Sequence, residues 1–435
     1  MERKNNSSQD PILDIPLLQE PNHEPGGATM SSAVFNVSTT MVGAGIMSVP
    51  ATMKTLGIVP GLISILIVAF LAEVTVDFLL RFTRSAKCTT YGGLMADSFG
   101  PFGSVAVQIC VMITNLGCLI IYLIILGDVL CGNRSGESIH TGILQELFGI
   151  HWWNSRAVVI LLVVLFVMLP LVLLRQVDSL RHSSAVSIGL AVVFVVISSA
   201  MAIHALWTGK TQKPRLVPDF TKVSVLDLFT TIPIFVTGFG FHMVVHPIKA
   251  ELQKSSDMSL AVRISLLICI AIYFTIGFFG YLLFGDTIMP DMLVNFDKNS
   301  DSSTGLVIND IVRLSYAIHL ALVFPLMNYS LRANVDEFLF PKKPALALDT
   351  TRFVSLTCGL LTITYTVAVA LPNIWYFFQF MGSTTIVCLA FIFPAAIVLR
   401  DVHGISTKKD KIIAILVIIL AVMTSAVAIY TNLLS

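Results

Sequence analysis

Charge is what this sequence has least of: Lys, Arg, Asp and Glu supply 12% of its 435 residues, about half the share of an ordinary soluble domain. With 55% of the chain apolar, a water-soluble globule is excluded. The 27 basic and 26 acidic residues leave a formal net charge of +1, so no global field would gather nucleic acid or acidic ligands. The seven cysteines, Cys88, Cys110, Cys118, Cys131, Cys269, Cys358 and Cys388, form no C-x-x-C pair and no polar cluster, which argues against a disulfide framework or a zinc module. Neither H-E-x-x-H nor G-x-S-x-G occurs, so a membrane enzyme would lack its catalytic anchor. The charged rings or repeated filter of an ion channel are missing as well. No catalytic residue, metal or cofactor is expected. Residues 1–28 lack a short apolar core with a cleavage site and read as a disordered cytoplasmic tail, not a signal peptide.

What the chain has in abundance is long apolar runs. A helix rises about 1.5 Å per residue and the hydrocarbon layer is about 30 Å thick, so roughly 20 apolar residues make one crossing. Eleven such stretches are expected, at 31–54, 57–82, 102–130, 156–174, 183–207, 226–250, 261–284, 305–330, 351–371, 373–399 and 411–433. Only Leu371-Pro372-Asn373 separates the ninth from the tenth, which leaves ten helices as the competing count. Sorting the basic residues by side, with the N-terminus inside, puts eighteen in cytoplasmic segments and eight opposite, Arg313 falling within the eighth span. That excess favours a cytoplasmic N-terminus. The basic run from Lys210 to Lys222 argues the other way. The sequon at Asn133 falls in a loop assigned to the far side, as a glycosylation site requires. Segment 285–301 carries Asp286, Asp291, Asp297 and Asp301 and reads as a solvated external connector.

Two crossings carry helix breakers at their centres. The first holds Gly43-Ala44-Gly45 with Pro50 beyond, and the sixth holds Pro233, Gly238-Phe239-Gly240 and Pro247. Glycine weakens a helix by about 1 kcal/mol and proline by about 3 relative to alanine, and backbone opened at that depth survives only where it faces protein or a polar cavity. Close packing is the alternative use of such glycines. The same offset, 195 residues, separates Gly43 from Gly238 and Gly45 from Gly240. Interrupted helices at matching places in two halves point to an inverted-repeat transporter with its substrate site at the midplane. Five helices per half force the second copy to enter from the opposite side. The expected class is therefore an all-α polytopic membrane protein of 11 transmembrane helices, five plus five inverted, with one added. Its expected parts are 29–207 (first repeat), 208–225 (non-cytoplasmic loop), 226–399 (second repeat) and 400–435 (eleventh helix). Opposed half-helix ends offer N–H groups to a carboxylate and carbonyls to an ammonium, which suits an amino acid.

At these residues the chain resembles the amino acid/auxin permease family. Phe35-Asn36-x-Ser38…Gly43-x-Gly45-Ile46 and Phe239-x-Phe241…His246-Pro247 are similar to the first and sixth helices of the branch holding sodium-coupled neutral amino acid transporters and vacuolar amino acid transporters. The plant vacuolar type is the nearest in pattern. The resemblance implies the five-plus-five fold of the leucine transporter and a secondary active transporter working by alternating access. In sodium-coupled relatives a side chain like that of Asn36 and a hydroxyl on the eighth helix help to hold the cation. The corresponding stretch here, Leu320-Ala321-Leu322-Val323-Phe324-Pro325, has no hydroxyl, which favours a proton over sodium. By the same resemblance Tyr122 would close over substrate.

Read from the residues, Thr39, Thr40, Gly43, Ala44, Gly45, Thr237, Gly238, Phe239, Gly240 and His242 flank the breaks and are the candidate substrate contacts, with Tyr122. Ionisable groups at bilayer depth are functional suspects. Glu73 is expected to sit deep enough to exchange a proton, whereas Asp77 with Arg81 reads as a structural pair. His319, mid-way along the eighth span, titrates near physiological pH. Asn36, Glu73 and His319 are thus the candidates for cation or proton coupling. Asp14-Ile15-Pro16-Leu17-Leu18 has the acidic-dileucine form read by sorting adaptors. With the resemblance, it points to the vacuolar or another internal membrane, the plasma membrane being the alternative, and to release of neutral or acidic amino acids into the cytosol. An amino acid sensor with little flux is the rival reading, and a short tail without a cytoplasmic module favours transport.

Overall fold

The computed structural model describes residues 29–135, 138–173, 180–221, 223–297, 303–341, 343 and 346–434. The tail motif at Asp14, Leu17 and Leu18 lies outside them, as does Asp301. Among the described residues ten helices are long and apolar enough to cross a bilayer, and the pair Met30–Met41 and Ala44–Leu56, bent by 48°, makes an eleventh crossing. The others are Ile58–Ala86, Tyr91–Cys131, Arg156–Leu173, Leu180–Trp207, Val225–Glu251, Met258–Phe284, Ser303–Leu339, Thr350–Ala370, Ile374–Arg400 and Lys408–Leu434. They are numbered here as spans one to eleven in chain order. All eleven expected stretches are found.

Local chemistry explains the boundaries. Asn373 Oδ1 accepts from the Trp375 amide at 3.0 Å and caps span ten, so three residues suffice for the turn that removes the ten-helix count. Ser224 and Asp227 form a reciprocal capping box that opens span six. Within span three, Gly100 (φ 68°) takes a conformation that side chains resist and kinks the span, and Pro101 starts the long helix after it. A two-stranded hairpin, Asn133–Ser135 with Ser138–His140, is the one departure from helix among the described elements. It places the Asn133 backbone in a loop strand. Large apolar side chains such as Phe70 (63% exposed) and Leu267 (67%) cover the outside of the bundle, as a lipid-facing surface requires.

The loops gather at two ends, as alternating crossings demand. At one end the Ile58 and Val59 amides donate to the Arg215 and Leu216 carbonyls, and Arg215 pairs with Asp286 at 2.6 Å. At the other, Arg81 holds Asp77 at 2.9 Å and Asp410 at 3.0 Å. Segment 288–297 corrects the expectation of a solvated connector. Met292, Leu293, Val294 and Phe296 are all buried, and the segment is a lid packed into its end of the bundle. The Ser48 hydroxyl donates to the Pro290 carbonyl at 2.7 Å, tying lid to span one.

Candidate substrate site at two helix breaks

Span one leaves helical geometry at Val42 (φ −77°, ψ 66°) and Gly43 (φ −117°, ψ −157°), then runs as a 3-10 turn from Ala44 to Ser48. Span six stops at Gly238 and resumes at His242, with Phe239 and Phe241 outside helical geometry. Neither new half-helix begins with a side-chain cap, so the first amides at each rely on something other than a neighbouring hydroxyl or carboxylate. Tertiary contact, rather than unusual torsion, explains Gly238 and Gly240, where an added Cβ would run into the Tyr273 ring and Ile386. None of the four break glycines has positive φ, whereas a Cβ on Gly45 would sit 3.5 Å from the Gly238 Cα. The two breaks touch backbone to backbone.

Three tyrosines hold this junction. The Tyr273 hydroxyl on span seven lies 2.6 Å from the Met41 carbonyl and 3.1 Å from the Gly238 carbonyl, bridging both broken spans. Tyr316 on span eight donates to the Gly43 carbonyl at 2.7 Å. Tyr122 on span three is buried, its hydroxyl 3.5 Å from where a Gly43 Cβ would be. A buried carbonyl without a donor costs about 1–3 kcal/mol, so these hydroxyls stabilise the opened backbone. His319 completes the ring. Its Nδ1 is 2.8 Å from the Ser187 carbonyl oxygen, an acceptor only, which places the ring proton on Nδ1. Its Nε2 has no hydrogen-bond partner and the Val42 carbonyl is close by.

A third interruption was not expected. Span ten breaks at Thr384 (φ −123°, ψ −87°), and Ile386 packs so tightly on Gly240 that a Cβ there would come within 2.3 Å of its Cγ2. Ala44, Gly45, Phe239 and Phe241 are all buried. Two grooves, of about 420 and 390 Å³, open at opposite ends of the bundle and no break residue lines either.

Residues 26–434 match the family described as transmembrane amino acid transporter protein. The chain belongs to that family. It is 56% identical over 422 residues to amino acid transporter AVT6C of Arabidopsis thaliana, covering 97% of each chain. It is 51% identical to AVT6D and 44% identical to AVT6A of the same plant, over 97% and 99% of this chain and 97% and 95% of theirs. The family is one of transporters and not of enzymes. Among solved structures, two mutants of the Eremococcus coleocola manganese transporter share the fold with TM-scores of 0.55 and 0.53 at 12% and 14% identity, each comparison covering 95% of this chain and 89% of that one. The architecture is the five-plus-five inverted repeat of the leucine-transporter type with one helix added.

Of the residues singled out in the sequence, Gly43, Ala44, Gly45, Tyr122, Gly238, Phe239, Gly240 and His319 come together at the junction. Thr237 lies beside it, its hydroxyl 2.8 Å from the Pro233 and 3.1 Å from the Phe378 carbonyl oxygen. Thr39 and Thr40 turn their hydroxyls back onto the Phe35 and Asn36 carbonyls of their own helix. Asn36 itself lies seven residues before Gly43, about 10 Å along the helix. His242 faces span two, its Nε2 2.9 Å from the Thr75 hydroxyl. His246 repeats the pattern with Thr83 at 2.8 Å and stacks on Tyr91, so the pair fastens the second half of span six. Glu73 is engaged in an ion pair with span seven. It accepts from Arg263 Nε at 2.8 Å, with 36% of its side chain exposed on the face of span two that turns to span seven. Tyr273 and Tyr316 were missed. A lone tyrosine amid an apolar helix, whose hydroxyl must find a partner once buried, was the available signal.

Proposed function

We propose that this chain is a secondary active transporter of neutral amino acids, with acidic ones as a second substrate class, coupled to protons and releasing substrate from an acidic internal compartment, the vacuole, into the cytosol. The observation that carries this reading is the pair of uncapped half-helix starts, at Ala44 and His242, on either side of a junction where the helix end at Gly238 lies against Gly45. Amide dipole ends suit a carboxylate and the facing carbonyl ends suit an ammonium. Tyr273 and Tyr316 hold the carbonyls of Met41, Gly238 and Gly43 in place while the substrate's charges are exchanged. The relatives' names, amino acid transporters, agree.

Protons are favoured over sodium for two reasons. The stretch Leu320–Pro325 offers no hydroxyl to a hard cation that wants several oxygens. His319, by contrast, is placed to use a proton: with Nδ1 committed to Ser187, a second proton on Nε2 would turn the ring into a donor toward the Val42 carbonyl at the break. Rocking of one bundle about the midplane would then expose the site to either side. The test is counterflow in reconstituted vesicles with labelled amino acids, varying the pH gradient and sodium separately. Uptake following the pH gradient supports the reading. Uptake that tracks sodium and ignores pH overturns the coupling, and binding without flux makes the chain a sensor.

A further inference from the structure

The lid 288–297 holds a carboxylate that the proposed mechanism leaves unused. Asp291 is 3% exposed. One of its oxygens, Oδ1, accepts from the Leu293 amide at 3.0 Å, and the other, Oδ2, is buried with no hydrogen-bond partner. An ionised carboxylate seldom leaves an oxygen in that condition, since an unmet buried charge costs more than an unmet neutral group. A neutral carboxylic acid tolerates it.

The surroundings weigh the same way. Asp128 of span three and Arg156 of span four form an ion pair close to Asp291, so the nearest cation is already engaged and Asp128 adds repulsion. Arg313 of span eight is occupied by Glu146 at 2.8 Å and the Thr141 carbonyl at 2.6 Å, with Asp310 at 3.5 Å. Tyr316 of the same span faces Asp291 too. From the hairpin, His140 is buried at the lid's edge. From span one, Lys54 donates to the Ile288 carbonyl at 3.4 Å and Ser48 to that of Pro290. Tyr316 is also the residue that holds the Gly43 carbonyl, so the acid lies within electrostatic reach of a residue bonded to the break.

We infer that Asp291 is a proton-binding site whose protonation closes the lid over the substrate on the non-cytoplasmic side. The inference rests on the proposed proton coupling and names where the proton is taken up. A proton from the outer water converts the carboxylate to the acid as the lid seats; with the lid closed the acid gives that proton up inward, to the cytosolic side with the substrate, and the lid lifts again over an ionised, rehydrated Asp291, so that one proton crosses per substrate. Burial, followed by Asp128, pushes the carboxyl up to about 8, against the Leu293 amide, Arg156 and Arg313. Because the seated lid raises this value, its stabilisation is fully present below the ordinary carboxylate range and is lost as the pH rises through the raised one. An acidic compartment would thus favour closure on its own side.

Asp291→Asn, which mimics the protonated acid, tests this in vesicles. With one proton moved per substrate, accumulation in the wild type changes about tenfold per unit of imposed pH gradient. In the Asn variant that dependence should flatten toward one, while exchange without a gradient stays measurable. Asp291→Glu should keep the dependence with a displaced midpoint. An Asn variant with the wild-type pH response sinks this inference and leaves proton coupling standing. A wild type that ignores pH removes the coupling itself. Should the variants not insert, hydrogen exchange of wild-type residues 288–297, corrected for intrinsic rates, decides: protection lost above neutral pH supports the lid, and constant protection rejects it.

Discussion

Tyr273 and Gly238 are fitted to one another: the hydroxyl lies 3.1 Å from the glycine carbonyl oxygen, and the ring fills the space where a Gly238 Cβ would come within 2.6 Å of Cε2. Removing either half of the fit has a separate expected outcome. Tyr273→Phe keeps the packing and removes the one hydroxyl proton shared between the Met41 and Gly238 carbonyls, so thermal unfolding in detergent should show a loss of about 1–3 kcal/mol and uptake should slow. Gly238→Ala displaces the ring and should abolish uptake. Gly45→Ala, whose Cβ meets only ordinary contacts at 3.5 Å and beyond, should keep its fold. Equal stability of all three would show that the junction is not held this way.

The contact between spans six and ten is expected to be repairable. Gly240→Ala collides with Ile386 Cγ2, a side-chain atom, so Ile386→Ala in the same chain should recover most of the lost transport. At Gly382 the obstacle is the Pro233 carbonyl oxygen, 1.9 Å from the added carbon, and no single partner change relieves it. Failure of rescue at Gly240 would place its requirement elsewhere.

The pair formed by Asp128 and Arg156 is nearly enclosed, with 1% and 20% of the side chains exposed. Arg156→Met takes the cation away from a buried carboxylate and should cost about 3–5 kcal/mol. Adding Asp128→Asn should restore a large part. A double-mutant cycle of unfolding measurements gives the coupling, and strict additivity would mean that the two charges do not rely on each other.

Acid should loosen the turn between spans ten and eleven. Burial works against the ionised form of Asp401, but Lys411 at 3.0 Å and the backbone and hydroxyl of Ser406 outweigh it and hold the carboxyl below its usual range. A depressed value stabilises the fold above the ordinary carboxylate range and is lost as the pH falls through the lowered one. Wild-type unfolding should therefore show an acid-sensitive step that Asp401→Asn lacks. Asparagine tolerates the left-handed φ of 47° at this position. Identical acid profiles would remove Asp401 from the account.

Hydropathy made the crossings legible, because entry of each apolar stretch into lipid is decided largely by its own residues. The breaks were legible from Gly43, Gly45, Gly238 and Gly240, and two of these, Gly238 and Gly240, are needed for contact as well as for opening the helix. What the sequence hid depends on azimuth and on distant partners. Nothing local tells that Glu73 turns to Arg263, or that Asp291, Met292, Leu293 and Phe296 all fold inward instead of standing in water. Thr384 breaks span ten after Gly382-Ser383, a signal present in the chain but overshadowed by the stronger proline and glycine patterns elsewhere.

The hydrogen bond from Ser48 to Pro290 joins the unwound part of span one to the outermost turn of the chain. A lever of that kind works in both directions. A binder that clasps the turn from outside, without reaching the centre of the protein, should arrest the whole cycle and leave whatever is inside imprisoned, which makes this short tether a handle for freezing the carrier in mid-stroke.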